Sequence, residues 1–160
     1  MATSNLSHYN EEGVPNGAPF SIALVVSEWN DDITGNLLKG AKETLLKHGV
    51  LEDNIRTVWV PGSYELPLVA QNILEANKAD GIVCLGSVIQ GETKHFDFVC
   101  QAAADGIMNV GLKYNKPVIF GVLTDNTRQQ GLDRSGGKLG NKGIECAVAC
   151  LKMLAIKANL

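Results

Sequence analysis

"FSIALVV" (residues 20–26) is a short apolar run with branched residues in series, preceded by turn formers and followed by polar residues. A run this brief, with no polar alternation, predicts a strand buried on both faces, as found inside a parallel sheet. The next segment, "DDITGNLLKGAKETLLKHG" (31–49), spaces Ile33, Leu37, Leu38, Ala41, Leu45 and Leu46 at three- and four-residue steps. That spacing predicts an amphipathic helix, and Gly49 stops it. His48 falls in its last turn, where a cation or a carbonyl partner suits an imidazole.

The alternation then recurs. "IRTVWV" (55–60) predicts a strand, "PGSYE" (61–65) a turn, and "LPLVAQNILEANK" (66–78) a helix that tolerates Pro67 because it sits in the first turn. "DGIVCLGS" (80–87) predicts a strand, "HFDFVCQAAADGIMNVGLKYN" (95–115) a long helix, and "PVIFGVLT" (117–124) a strand. The polar, glycine-rich stretch 125–143 carries a short helix over 127–133, and a last helix runs from Ile144 to about Lys157. The order βαβαβαβαα specifies an α/β domain: a parallel sheet with helices on both faces and right-handed crossovers. Residues 1–19, polar and without periodicity, read as a loosely ordered N-terminal arm available to a neighbour, and residues 20–160 as a single domain. His8 belongs to the arm and is read as uninvolved.

Composition narrows the function. A chain of 160 residues fits one domain, and 45% apolar with 19% charged residues is ordinary for a globular protein. A formal charge of -3 argues against a nucleic-acid binder that relies on a basic face. No apolar run is long enough to span a membrane, and no basic segment followed by an apolar one suggests a secretory signal. Cys84, Cys100, Cys146 and Cys150 form no CxxC pair, so they read as buried thiols of a protein in a reducing cytoplasm.

In such a sheet, ligands bind beyond the carboxyl ends of the strands, so the polar segments that follow strands carry the function. Those segments hold Trp29, Tyr64, Glu65, Thr93 and His95. Trp29, directly before a helix start, is equally compatible with a staple packing on its own helix and with a stacking plate for a planar ligand. In "GETKH" (91–95), Gly91 permits close backbone approach, Thr93 offers a hydroxyl, and the free amides of the following helix suit an anion. The absence of GxGxxG and GxxxxGK[ST] disfavours a dinucleotide or a P-loop nucleotide. Arg134, among Gly131, Gly136, Gly137, Gly140 and Gly143, fits either a bidentate grip on phosphate or a flexible solvated loop. Asp97 lies on a different side of the helix from His95, so the two do not read as a metal pair. No serine sits in a G-x-S-x-G frame. Phe96 and Phe98 read as packing residues.

Taken together, "VPGSYELP" (60–67), "GSVIQGETKHFDFV" (86–99), "PVIFGVLT" (117–124) and "DRSGGKLGNKG" (133–143) resemble the motifs of the lumazine synthase family, in its order and spacing, from about Phe20 to Lys157. The resemblance implies a flavodoxin-like three-layer α/β/α sandwich on a four-stranded parallel sheet. It implies condensation of 5-amino-6-(D-ribitylamino)uracil with 3,4-dihydroxy-2-butanone 4-phosphate to 6,7-dimethyl-8-ribityllumazine, a step of riboflavin biosynthesis needing no metal or organic cofactor. The family's catalytic histidine matches His95, and its phosphate-holding arginine matches Arg134. Its stacking aromatic matches Trp29, and its ring and ribityl contacts match Ser63, Tyr64, Glu65, Ser87, Val88 and Ile89. Glu92 and Thr93 match the phosphate-side loop. Phe120 matches a residue that closes the pocket from the adjacent subunit, and Lys142 a lysine near the pyrimidine.

The resemblance also implies homopentamers in which Phe120 and Arg134 serve a neighbour's site, with riboflavin synthase as a candidate partner and no nucleic acid or membrane. The segment 135–143 lacks the extra residues of many pentamer-only members, which leans toward a shell of twelve pentamers. Gln90 stands where many members carry arginine, and this departure bears on assembly more than on activity. The rival readings are a flavodoxin-like module binding a flavin- or pterin-like ligand without turnover, and a shell protein without activity.

Overall fold

The computed structural model describes residue 5 and residues 7–160. Its centre is β1 (Ile22–Ser27), buried along its whole length as the uniform apolar run predicts. Around it the chain adds α1 (Asp31–Lys47), β2 (Ile55–Val60), α2 (Leu66–Glu75), β3 (Gly81–Ile89), α3 (His95–Tyr114) and β4 (Val118–Asp125). The strands form one parallel sheet in the order β2-β1-β3-β4, the flavodoxin-like arrangement. The register pairs Ser27 with Val60, Val26 with Leu85 and Ile89 with Asp125, so all four strands end at the same edge.

The two-residue strand period splits the core in two. Leu24, Val26, Val83, Leu85 and Leu123 point to one side, where they meet α1 and the final helix α5 (Lys142–Ala158) through Leu37, Ala41, Leu45, Ala147 and Leu151. Ala23, Val25, Ile82, Cys84 and Val122 point to the other, against Leu66, Ala70 and Ile73 of α2 and Ile107 and Val110 of α3. Each fully buried leucine or isoleucine contributes roughly 1.5–3 kcal/mol. On α1 the buried stripe is Ile33, Leu37, Ala41 and Leu45. Leu46, which the spacing also places on the apolar face, is 38% exposed.

Two regions depart from the sequence reading. After β4 the expected short helix is present as α4 (Arg128–Arg134), but the glycines beyond it form an unforeseen antiparallel pair, β5 (Ser135–Gly137) with β6 (Gly140–Asn141). Gly136 and Gly140 have φ of +123° and +83°, a region that favours glycine, so the glycines make a tight reversal rather than slack. The final helix starts two residues earlier than expected because the Asn141 side chain accepts the Gly143 amide at 2.8 Å and caps it.

The N-terminal segment lies on its own chain over the part that is described; residues 1–4 and 6 of the expected arm fall outside it. Ser7 Oγ donates to the Asn141 carbonyl, Glu11 pairs with Lys47 at 2.6 Å, and the Gly17 amide donates to the His48 carbonyl. Tyr9 Oη and His48 Nε2 are 2.9 Å apart, which gives His48 a tyrosine partner at the end of α1. Burial, helped by the Lys47 charge and opposed by Glu11, pushes this imidazole below its usual range. His8 is exposed.

Candidate active site

The carboxyl ends of β1, β2 and β3 open into a cleft of about 740 Å³. Its first wall comes from the turn after β1. Asn30 takes a left-handed conformation (φ 58°), common for asparagine among non-glycine residues, and its Nδ2 donates to the Ser87 carbonyl at 3.1 Å. That tie joins the ends of β1 and β3. It leaves Trp29 72% exposed with its indole edge over Gly62, where a Cβ would come within 3.6 Å of Trp29 Cδ1. A staple would be buried on its own helix; this indole faces the cleft instead.

The floor comes from Ser63, Tyr64 and Glu65, which form a 3-10 turn running into α2. A side chain at Gly86 would collide with Ser63 Oγ, so the glycine lets this turn close on β3. The hydroxyls of Ser27, Ser63 and Ser87 are buried and make no hydrogen bond among the described residues. Buried hydroxyls are nearly always paired, and Ser63 and Ser87 line the cleft, so this is polar capacity suited to a hydroxylated ligand. Val88 and Ile89 continue the wall along β3.

The far wall is the start of α3. His95 is its first residue, exposed, and its amide donates to Thr93 Oγ1 at 3.4 Å. Glu92 and Thr93 lie on the exposed turn just before it rather than in the wall itself. Phe98 corrects the packing assignment made from sequence: it is 69% exposed and lines the cleft with Val99. The signal for both is their spacing of three and four from His95, which puts them on its face of the helix. Asn30 and Gly62 are the other lining residues that the motifs did not single out. Phe96 is half-buried, and Asp97 is exposed.

Phe120, Arg134 and Lys142 do not line this chain's cleft. Phe120 is 38% exposed on β4, an edge strand of the sheet. Arg134 ends α4 with its Nε 3.6 Å from Asp125 Oδ1, and Lys142 Nζ donates to Glu145 Oε2 at 2.7 Å at the start of α5.

The thiols are free and poorly suited to act as nucleophiles. Burial pushes Cys146 and Cys150 up to about 12, raises Cys84 further, and also raises the half-buried Cys100. Among the described residues no three histidine, cysteine or acidic side chains are grouped to hold a metal, and no helix is long and apolar enough to cross a membrane.

Fold and cleft thus define a flavodoxin-like α/β protein with an open cleft at its strand ends, lined by an exposed tryptophan, unpaired hydroxyls and a helix-start histidine. Its family is equally definite. The chain belongs to the 6,7-dimethyl-8-ribityllumazine synthase family, whose model matches residues 19–158. It is 53% identical to the 6,7-dimethyl-8-ribityllumazine synthase of Cytophaga hutchinsonii over 154 residues, 96% of each chain. It is 46% identical to that of Phocaeicola vulgatus over 162 residues (all of this chain, 96% of the relative) and 47% identical to that of Parabacteroides distasonis over 160 (99% and 100%).

Proposed function

We propose that this protein condenses 5-amino-6-(D-ribitylamino)uracil with 3,4-dihydroxy-2-butanone 4-phosphate to form 6,7-dimethyl-8-ribityllumazine, releasing phosphate and water. The observation that carries the reading is the convergence of Trp29, the Ser63–Glu65 turn, the Ser87–Ile89 strand end and His95 on one cleft, in a chain of this family. Trp29 stacks on the pyrimidine. The Ser63 and Ser87 hydroxyls, Tyr64, Glu65 and the backbone at Val88 and Ile89 hold the ring edge and ribityl chain. Glu92 and Thr93, with the amides opening α3, face the phosphate. The amine of the pyrimidine attacks the ketone and water leaves as the imine forms; phosphate departs, and the ribitylamino nitrogen closes the second ring with loss of a further water. His95 carries protons between these nitrogen and oxygen atoms, which an imidazole does in both directions near neutral pH.

Phe120, Arg134 and Lys142 complete the cleft of a neighbouring copy in a homopentamer. Their absence from the lining of this chain's own cleft supports that reading, as do the exposed apolar side chains of Met108, Leu112, Phe120, Met153 and Ile156, three of them on α3 and the edge strand β4. The pentamers assemble further into a shell, supported by the short reversal between β5 and β6. Riboflavin synthase is the partner that consumes the product, and the free thiols suit a cytoplasmic setting.

Incubating the purified protein with both substrates tests the activity: the lumazine absorbance should appear in step with released phosphate. Binding of the pyrimidine or of riboflavin with no chromophore would refute it in favour of a ligand-binding module. Trp29→Ala should raise the Michaelis constant for the pyrimidine about three- to tenfold, as loss of one aromatic stack implies. Because the indole is mostly exposed, the melting temperature should move by no more than about 2 °C. An unchanged constant would remove Trp29 from the binding surface.

A further inference from the structure

We propose that Asp125 is a positioning residue for Arg134: its buried carboxylate seats the guanidinium by the Nε edge and leaves the terminal nitrogens facing outward, toward a phosphate. The proposal rests on the reading of Arg134 as the phosphate grip and adds the group that sets its posture. Asp125 ends β4 and is 2% exposed, whereas the Arg134 side chain is 36% exposed. The Nε atom is itself buried, so the exposed part of the side chain is the rest of it. Asp125 Oδ1 lies 3.6 Å from that Nε, close enough for charge attraction but beyond hydrogen-bond length. Asp125 Oδ2 is buried and has no hydrogen-bond partner among the described residues.

Asp125 is held through its backbone and covered by α4. The Asp125 carbonyl accepts the Gln90 amide at 2.9 Å, and Asp125 is in register with Ile89, which ties it to the strand end leading toward His95. Above it, α4 passes closely: a Cβ on Gly131 would sit 3.3 Å from Asp125 Oδ2 and 2.7 Å from Ile33 Cδ1. Arg134 closes that same helix, which sets its backbone close to the carboxylate. Holding a charged acid here is costly to the fold. Burial pushes the Asp125 carboxyl above its ordinary range, and the Arg134 charge only partly offsets this. A carboxyl whose pKa is raised on folding stabilises the fold least above that folded pKa, so in its ionised form it is held at a cost to stability. A side chain kept on those terms at a site edge is expected to serve the site.

The test compares Asp125→Asn, Arg134→Ala and the double variant in the full-length protein. It measures kinetics with each substrate, inhibition by inorganic phosphate, and melting at pH 7. Asp125→Asn should raise the Michaelis constant for the phosphorylated ketone and the phosphate inhibition constant about five- to tenfold, with the pyrimidine constant within twofold and melting equal or higher. Adding Asp125→Asn to Arg134→Ala should cost nothing more, because the residue acts through the arginine. Asp125→Thr, which also lacks the charge, replaces the amide should that variant not fold. If Arg134→Ala weakens the phosphorylated ketone and Asp125→Asn does not, Asp125 has no positioning role while the grip stands. Additive losses, or lower melting with unchanged constants, overturn the proposal equally. An ineffective Arg134→Ala removes the grip itself.

Discussion

Arg134→Ala is expected to weaken the phosphorylated ketone by roughly 1.5–3 kcal/mol, a ten- to hundredfold rise in its Michaelis constant, with little change in that for the pyrimidine. The magnitude is that of a charge-assisted hydrogen-bond set, and guanidinium is the side chain whose fork matches phosphate oxygens. The substitution also leaves the Asp125 carboxylate buried without its counter-charge. Melting should therefore drop as well at neutral pH and recover as the solution is acidified, because the raised carboxyl takes up a proton and no longer needs the guanidinium. Lysine at this position should restore charge but not geometry, and so recover only part of the affinity. Unchanged constants for the phosphorylated substrate in Arg134→Ala would refute the assignment.

His95→Ala should lower turnover about ten- to a hundredfold without abolishing it, below the full range of general acid–base catalysis. The reason lies in the reaction. Imine formation, loss of phosphate and ring closure each move protons, but two substrates held in one cleft already gain much of the rate from alignment, which removing an imidazole leaves intact. His95 opens α3 with an exposed side chain, and its backbone is held by Thr93 through the amide rather than by the ring. The protein should therefore fold normally without the imidazole, with melting within about 2 °C of the parent. Turnover within twofold of the parent would exclude His95 as the proton carrier.

These two residues differ in how plainly the chain announces them. His95 follows a buried strand and starts a helix, a placement that hydrophobic periodicity alone locates to the residue. Arg134 sits in a stretch whose glycines look locally like a flexible loop. Periodicity could not see that Gly136 and Gly140 turn a short strand pair back on itself, because those contacts are set by left-handed backbone and by neighbours rather than by an apolar repeat. Phe98 shows the opposite limit. Its spacing from His95 is visible, but an aromatic on an apolar helix reads as core until the sheet decides which face of α3 is open.

By itself the sequence determined the order of the four sheet strands and their helices, the two-sided burial of β1, the strand ends at which polar residues gather, and, through its motifs, the family. All of these follow from patterns within a few residues or from motifs read in order. Only the tertiary structure decided that Trp29 lies open over Gly62 and that Asn30 ties β1 to β3. It likewise decided that Phe98 faces the cleft and that Arg134 rests on the buried Asp125. Those facts depend on strand register and on which charges are drawn out of water together, and both are properties of the packed sheet rather than of any one segment.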